Sequence, residues 1–173
     1  VPLRWDAAIS AYTPRTAQGE TNSTRMLTAF AGGSAAAASD VDERLRAVVT
    51  EGRFLAVLTP LRQFTRARAA LRQQLGLTEV DVTAILLERL RALNYPWQDI
   101  LTADTGDERD PNFQTLVEIV HTEVMPAVRQ ALATPEPLLV TEAGPLARYD
   151  ALGPLRELAD ISRPRPAARL LLV

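Results

Sequence analysis

Apolar positions along this chain fall into two kinds of run, punctuated by proline and glycine. "FLAVLT" (Phe54 to Thr59) is a nearly continuous apolar stretch ended by Pro60, and "LLVT" (Leu138 to Thr141) is a second, ended by "EAGP". Short apolar runs without polar alternation predict strands covered on both faces, as in a parallel sheet. A third such run, Arg169 to Val173, closes the chain.

Between these runs the apolar period lengthens to that of a helix. Ser39-Asp40 caps "DVDERLRAVVTEG", which Gly52 stops. Leu61, Phe64, Leu71 and Leu75 share one side of the next predicted helix, which ends at Gly76. "TEVDVTAILLERLRAL" opens with Thr78 and Asp81 at the spacing of a capping box and turns Ile85, Leu86, Leu90 and Leu93 inward. Asn94-Tyr95-Pro96 breaks that helix, and a short one follows that buries Trp97, Ile100 and Leu101. Asp110-Pro111 starts a long helix with the stripe Phe113, Leu116, Val117, Val120, Val124 and Val128, and Pro126 predicts a kink in it. The last helical pieces are broken at Gly153-Pro154.

Apolar runs joined by a helical pattern need a crossover, so Leu138–Val173 reads as a right-handed βαβ unit. The expected fold is α/β and helix-rich: a small parallel sheet with helices on both faces, preceded by a flexible linker. Residues 1–15 read as the remnant of a preceding module. Residues 16–39, rich in Gly, Ser, Thr and Ala, read as the linker, with Met26, Leu27 and Phe30 able to dock as a short turn. Residues 40–173 form the α/β domain. Three visible strands are few for a parallel sheet, so the domain is expected to continue past Val173.

Composition adds bounds. With 173 residues, 47% hydrophobic and 23% charged, the chain can bury a core of its own. It has no apolar run near the roughly 20 residues of a membrane span, and no cysteine for disulfides or thiolate metal sites, so a cytoplasmic location is expected. All 19 basic residues are arginine, a usage that fits a GC-rich genome. The net charge of -2 hides an asymmetry: residues 1–75 hold 10 Arg and 6 acids, residues 76–173 hold 9 Arg and 15 acids. Such a division can mark a partner surface.

In open α/β sheets ligands gather beyond the carboxyl ends of strands. Here those ends are "TPLR" at Thr59 and "TEAG" at Thr141, and neither spells a phosphate-binding glycine loop. Asp104, Glu142, Arg148 and Tyr149 are the candidate ligand-binding residues at that edge, against the simpler reading of "TEAGP" as turn chemistry. "LTADTGDERDPN" lacks the calcium-loop spacing and reads as a solvated loop ending in a helix cap. "ERDPN" echoes a kinase catalytic loop, but the chain has no lysine and no Gly-rich loop. His121, the one histidine, sits at the edge of an apolar stripe with no nucleophile motif beside it. Arg62 and Arg66 are the candidates for nucleic-acid contact, an alternative disfavoured by the 5% aromatic content. No catalytic residue, metal site or cofactor is expected from these motifs.

The blocks "PLRWDAAISAYTPR", "GRFLAVLTP", "LGLTEVDVTAILLERLRAL", "WQDILTAD", "FQTLVEIV" and "PLLVTEAGPLARYDALGPLREL" follow one another in this order. The succession resembles the carboxyl-terminal region of PglW-type serine/threonine kinases, the large proteins of phage growth limitation (BREX type 2), over essentially the whole chain. The resemblance implies an actinobacterial phage-defence protein whose kinase site lies in another region. This segment would then be a non-catalytic regulatory or partner-binding domain. It would engage other protein components of the defence system or other domains of the same polypeptide. The rival expectation is a divergent nucleotide-binding or hydrolytic α/β domain with its site at the carboxyl edge of the sheet.

Overall fold

The computed structural model describes residues 3–6, 11–14, 27–28, 35–163 and 165–173. Two short strands, β1 (Leu3–Asp6) and β2 (Ala11–Pro14), pair antiparallel with Trp5 opposite Tyr12. The two-residue β3 (Leu27–Thr28) lies within the stretch read as linker and pairs in parallel with the next strand. The remainder of 16–34 lies outside the described residues.

Helix α1 (Ala35–Thr50) begins at an Ala run upstream of the expected cap at Asp40, because alanine is the strongest helix former. Strand β4 (Phe54–Leu58) and a single 3-10 turn (Leu61–Gln63) lead into α2 (Phe64–Leu75), which Gly76 ends at φ 63°. At that left-handed angle only glycine is free of Cβ strain.

The next element corrects the sequence reading. Thr78–Asp81 is not a helical capping box but strand β5, pairing with β6 (Leu138–Thr141) through Thr78 opposite Leu138 and Val80 opposite Val140. Helix α3 (Val82–Ala92) starts only afterwards, with Asp81 as its cap: its Oδ1 accepts from the Ala84 N–H at 2.9 Å. A cap needs extended backbone, and the end of a strand supplies it.

Helices α4 (Trp97–Asp104) and α5 (Pro111–Ile119) follow, then a π turn (Val120–Val124) and α6 (Met125–Leu132). The irregularity expected at Pro126 is this π turn, placed one turn before the proline, whose missing N–H breaks the helical ladder there. After β6 come α7 (Gly144–Arg148), α8 (Gly153–Ala159) and β7 (Arg169–Leu172).

Apart from the β1–β2 pair, the described strands form one parallel sheet in the order β3-β4-β7-β6-β5. Alternate residues feed two cores. Val80, Leu138 and Val140 pack on one face against α3 to α7, joined by Leu155 and Leu158 of α8. Leu55, Val57, Leu139, Leu170 and Leu172 pack on the other face against Leu45 of α1 and Ala67 and Leu71 of α2. Helices thus cover both faces, as the pattern of the strands predicts. β6 lies between β7 and β5, and all four of its residues are buried.

Candidate functional site

At the carboxyl edge of β6 the chain turns on Glu142, which takes φ 52°. Its carbonyl accepts from Thr83 Oγ1 at 2.9 Å, fastening the turn to α3. Its carboxylate is exposed and has no partner among the described residues. Pro145 then sits in the first turn of α7 and Leu146 is fully buried. Glu142 therefore serves the turn through its backbone.

The other three candidates meet one another, without a contact from the Glu142 carboxylate. Tyr149 Oη donates to Asp104 Oδ1 at 2.9 Å, and Arg148 Nε lies 3.5 Å from the same oxygen. The Arg148 guanidinium also donates to the Asp104 carbonyl and, at 3.4 Å, to that of Gly106, and it stands 4.5 Å over the Phe113 ring. Phe113 stacks on Tyr149 with centroids 6.2 Å apart. Burial first, then the Asp104 carboxylate, hold the Tyr149 phenol well above its ordinary pKa, so it stays protonated as a donor. His121, on the π turn, is exposed and its Nε2 lies 3.0 Å from the Tyr149 carbonyl. The cluster ties α4, α5, the π turn and α7 together.

The acidic loop is spent on local structure. Asp107 Oδ1 accepts from the Arg109 N–H at 2.9 Å, and Asp110 Oδ1 caps α5 through the Asn112 N–H at 2.7 Å.

Arg62 and Arg66 are exposed on the 3-10 turn and α2, with no partner among the described residues. Their neighbours Arg68 and Arg72 instead reach β5. Arg68 Nε lies 2.5 Å from Glu79 Oε1 and Arg72 reaches Oε2 at 3.1 Å, while the buried Thr141 donates to Oε1 at 2.8 Å. Arg68 also approaches Asp81 at 3.6 Å. The Glu79 side chain is only 10% exposed. Sequence reasoning missed this network because Glu79 was placed in a helical turn, where it would face solvent.

A second missed charge is Arg169, 1% exposed at the start of β7. Its guanidinium donates to the carbonyls of Glu136 (2.8 Å), Ala168 (2.9 Å) and Thr134, with no carboxylate among them. Burial, with Arg165 nearby, lowers its pKa below the ordinary arginine value. It pins the loop between α6 and β6.

One surface departs from the expected burial. Of the short helix α4 only Ile100 is buried, while Trp97 is 37% and Leu101 41% exposed, and Tyr95 just before them is 55% exposed. Asn94, at φ 56°, and Pro96, the extended cap of α4, bend the chain between α3 and α4. Arg91, Asn94, Tyr95, Pro96 and Trp97 line an open concavity of about 470 Å³. The Arg91 guanidinium lies 5.6 Å over the Trp97 ring.

The comparisons with known proteins bear on the whole of this arrangement. The chain is 32% identical over 178 aligned positions to a protein of Streptomyces coelicolor described as "Probable kinase PglW", and the alignment covers 94% of the chain. The chain is PglW-related. It spans 11% of the length of PglW, so the match concerns one segment of a much larger protein. No family model matches the chain, and no solved structure matches it. The PglW-related segment includes the Asp104–Arg148–Tyr149 cluster and the exposed aromatic turn within a single alignment spanning nearly all of it. Among its described residues no helix is long and apolar enough to cross a membrane.

Proposed function

We propose that this chain is a non-catalytic, partner-binding domain of a cytoplasmic phage-defence serine/threonine kinase of the phage growth limitation (BREX) type. The observation that carries the reading is the relation to PglW over 94% of a chain that contains no lysine at all. Kinase chemistry needs a lysine on the nucleotide phosphates and a Gly-rich loop over them, so phosphoryl transfer falls to other parts of the polypeptide. The polar residues at the carboxyl edge of the sheet support the same reading. Asp104, Arg148 and Tyr149 satisfy one another and two backbone carbonyls, leaving little free bonding capacity for a substrate. The domain instead offers a surface to other components of the defence system or to other domains of the same chain.

The test is an in-frame deletion of this domain from the full kinase. Autophosphorylation should persist while phage restriction is lost, and the isolated chain should transfer no labelled phosphate from ATP. Phosphate transfer by the isolated chain, or a deletion that leaves restriction intact, would refute the proposal.

A further inference from the structure

The α3–α4 turn brings two exposed aromatic rings, an exposed leucine and a cation with no carboxylate partner among the described residues onto one surface. Among the described residues, three of the six large apolar residues that are markedly exposed, Tyr95, Trp97 and Leu101, fall within seven positions of one another. Trp97 and Leu101 are four residues apart on α4 and so share a face of that helix. Arg91 is the one charged residue lining the concavity. It has no carboxylate partner among the described residues, and the Trp97 ring holds its guanidinium in place. Arg89, in the same last turn of α3, is exposed and also lacks a described partner. The exposed Glu88 and Asp99, near these residues in sequence, are not among those lining the concavity. A rim that pairs exposed aromatics with a pre-oriented, uncompensated guanidinium has the composition of an interaction hot spot.

We infer that this turn is a docking surface for a short acidic peptide segment of a partner protein. One carboxylate of the segment pairs with Arg91, and an adjacent apolar side chain lies against Tyr95, Trp97 and Leu101. Charge complementarity selects the occupant: an acidic group supplies what Arg91 lacks, whereas a basic segment would meet like charge. A nucleotide is a poorer fit, since the lining offers a single cation and no glycine-rich backbone for a polyphosphate. The inference rests on the partner-binding reading and names the surface and the chemistry it recognises.

The experiment is selection of a random heptapeptide display library on the purified chain, followed by fluorescence polarisation with the enriched peptide. Enriched sequences should carry an Asp or Glu beside an apolar residue. Arg91→Gln should weaken binding by at least about tenfold, as expected for one charge-assisted contact. Trp97→Ala should weaken it similarly, as should replacing the peptide's acid by its amide. Both protein changes lie on the surface, and circular dichroism with thermal melting checks that the variants remain folded. Enriched peptides that bind both variants as well as the parent chain would overturn the assignment of this surface while leaving partner binding intact. Enrichment without acidic residues would overturn the proposed chemistry. Sedimentation showing self-association that Trp97→Ala abolishes would assign the surface to a second copy instead. An absence of any enrichment would count against both this inference and the partner-binding reading.

Discussion

Tyr149 shows how one side chain can be placed by its neighbours in a way its position in sequence does not announce. The stretch "TEAGPLARY" reads as a turn and the start of a helix; in the structure that helix is only Gly144–Arg148, and Asp150 turns the chain at φ 49°. That the phenol is 5% exposed and donates to Asp104, 45 residues earlier, depends on the packing of α4 and α5 against α7. The ionisation behaviour follows from the same contacts. Folding raises the pKa of this phenol, so its contribution to stability is fully present below the unfolded value near 10 and is lost as pH rises above it. The chain has no lysine or cysteine, so the side chains that most often titrate alongside a tyrosine in this interval are absent. Denaturant melts between pH 9 and 11.5 should show stability falling with pH, and Tyr149→Phe should flatten that fall. At neutral pH the same substitution should cost about 1 kcal/mol, the typical worth of one hydrogen bond. An unchanged alkaline slope in the variant would show that another group is responsible.

Among the elements, those with a long apolar period were legible, and the short polar one was not. Leu138–Thr141 is a strand in both readings because four consecutive buried residues suit only a strand covered on both sides. Thr78–Asp81 was misread because a strand of four residues with two acids gives no clear alternation, and the Thr/Asp spacing matches a helix start. What makes it a strand lies elsewhere in sequence: β6 pairs with it along one edge, and Arg68 and Arg72 of α2 neutralise Glu79 on one face. Trp97 and Leu101 were likewise expected inside on apolar character alone, but α4 buries only Ile100. The α2–β5 network has a testable consequence. Glu79→Ala would strand the buried Thr141 hydroxyl and release two arginines, at a cost of about 2–4 kcal/mol. Glu79→Gln keeps the acceptor for Thr141 and should cost less than the alanine variant. Chemical denaturation of the two variants decides the point: equal losses would mean that the hydroxyl contact contributes nothing.

At the scale of the molecule, the sheet is a shared wall between two apolar clusters, and β6 contributes side chains to both. Leu138 faces the core built with α3 to α8, and its neighbour Leu139 faces the core built with α1 and α2; both are 0% exposed. Because the two side chains leave one backbone in opposite directions, neither core can loosen without disturbing a strand that the other needs. Leu138→Ala and Leu139→Ala should therefore each cost about 2–5 kcal/mol, the range for truncating a buried leucine. Both should lower one common transition, with helix content followed by circular dichroism and tryptophan fluorescence melting together, as a two-state domain requires. The alternative is a molecule of two semi-independent layers. In that case each substitution would move only the signal of its own side, and the helices of α1 and α2 would melt apart from the Trp97 environment. Amide exchange on the parent chain supplies the cross-check: the amides of β6 should be among the slowest, opening only with the whole domain.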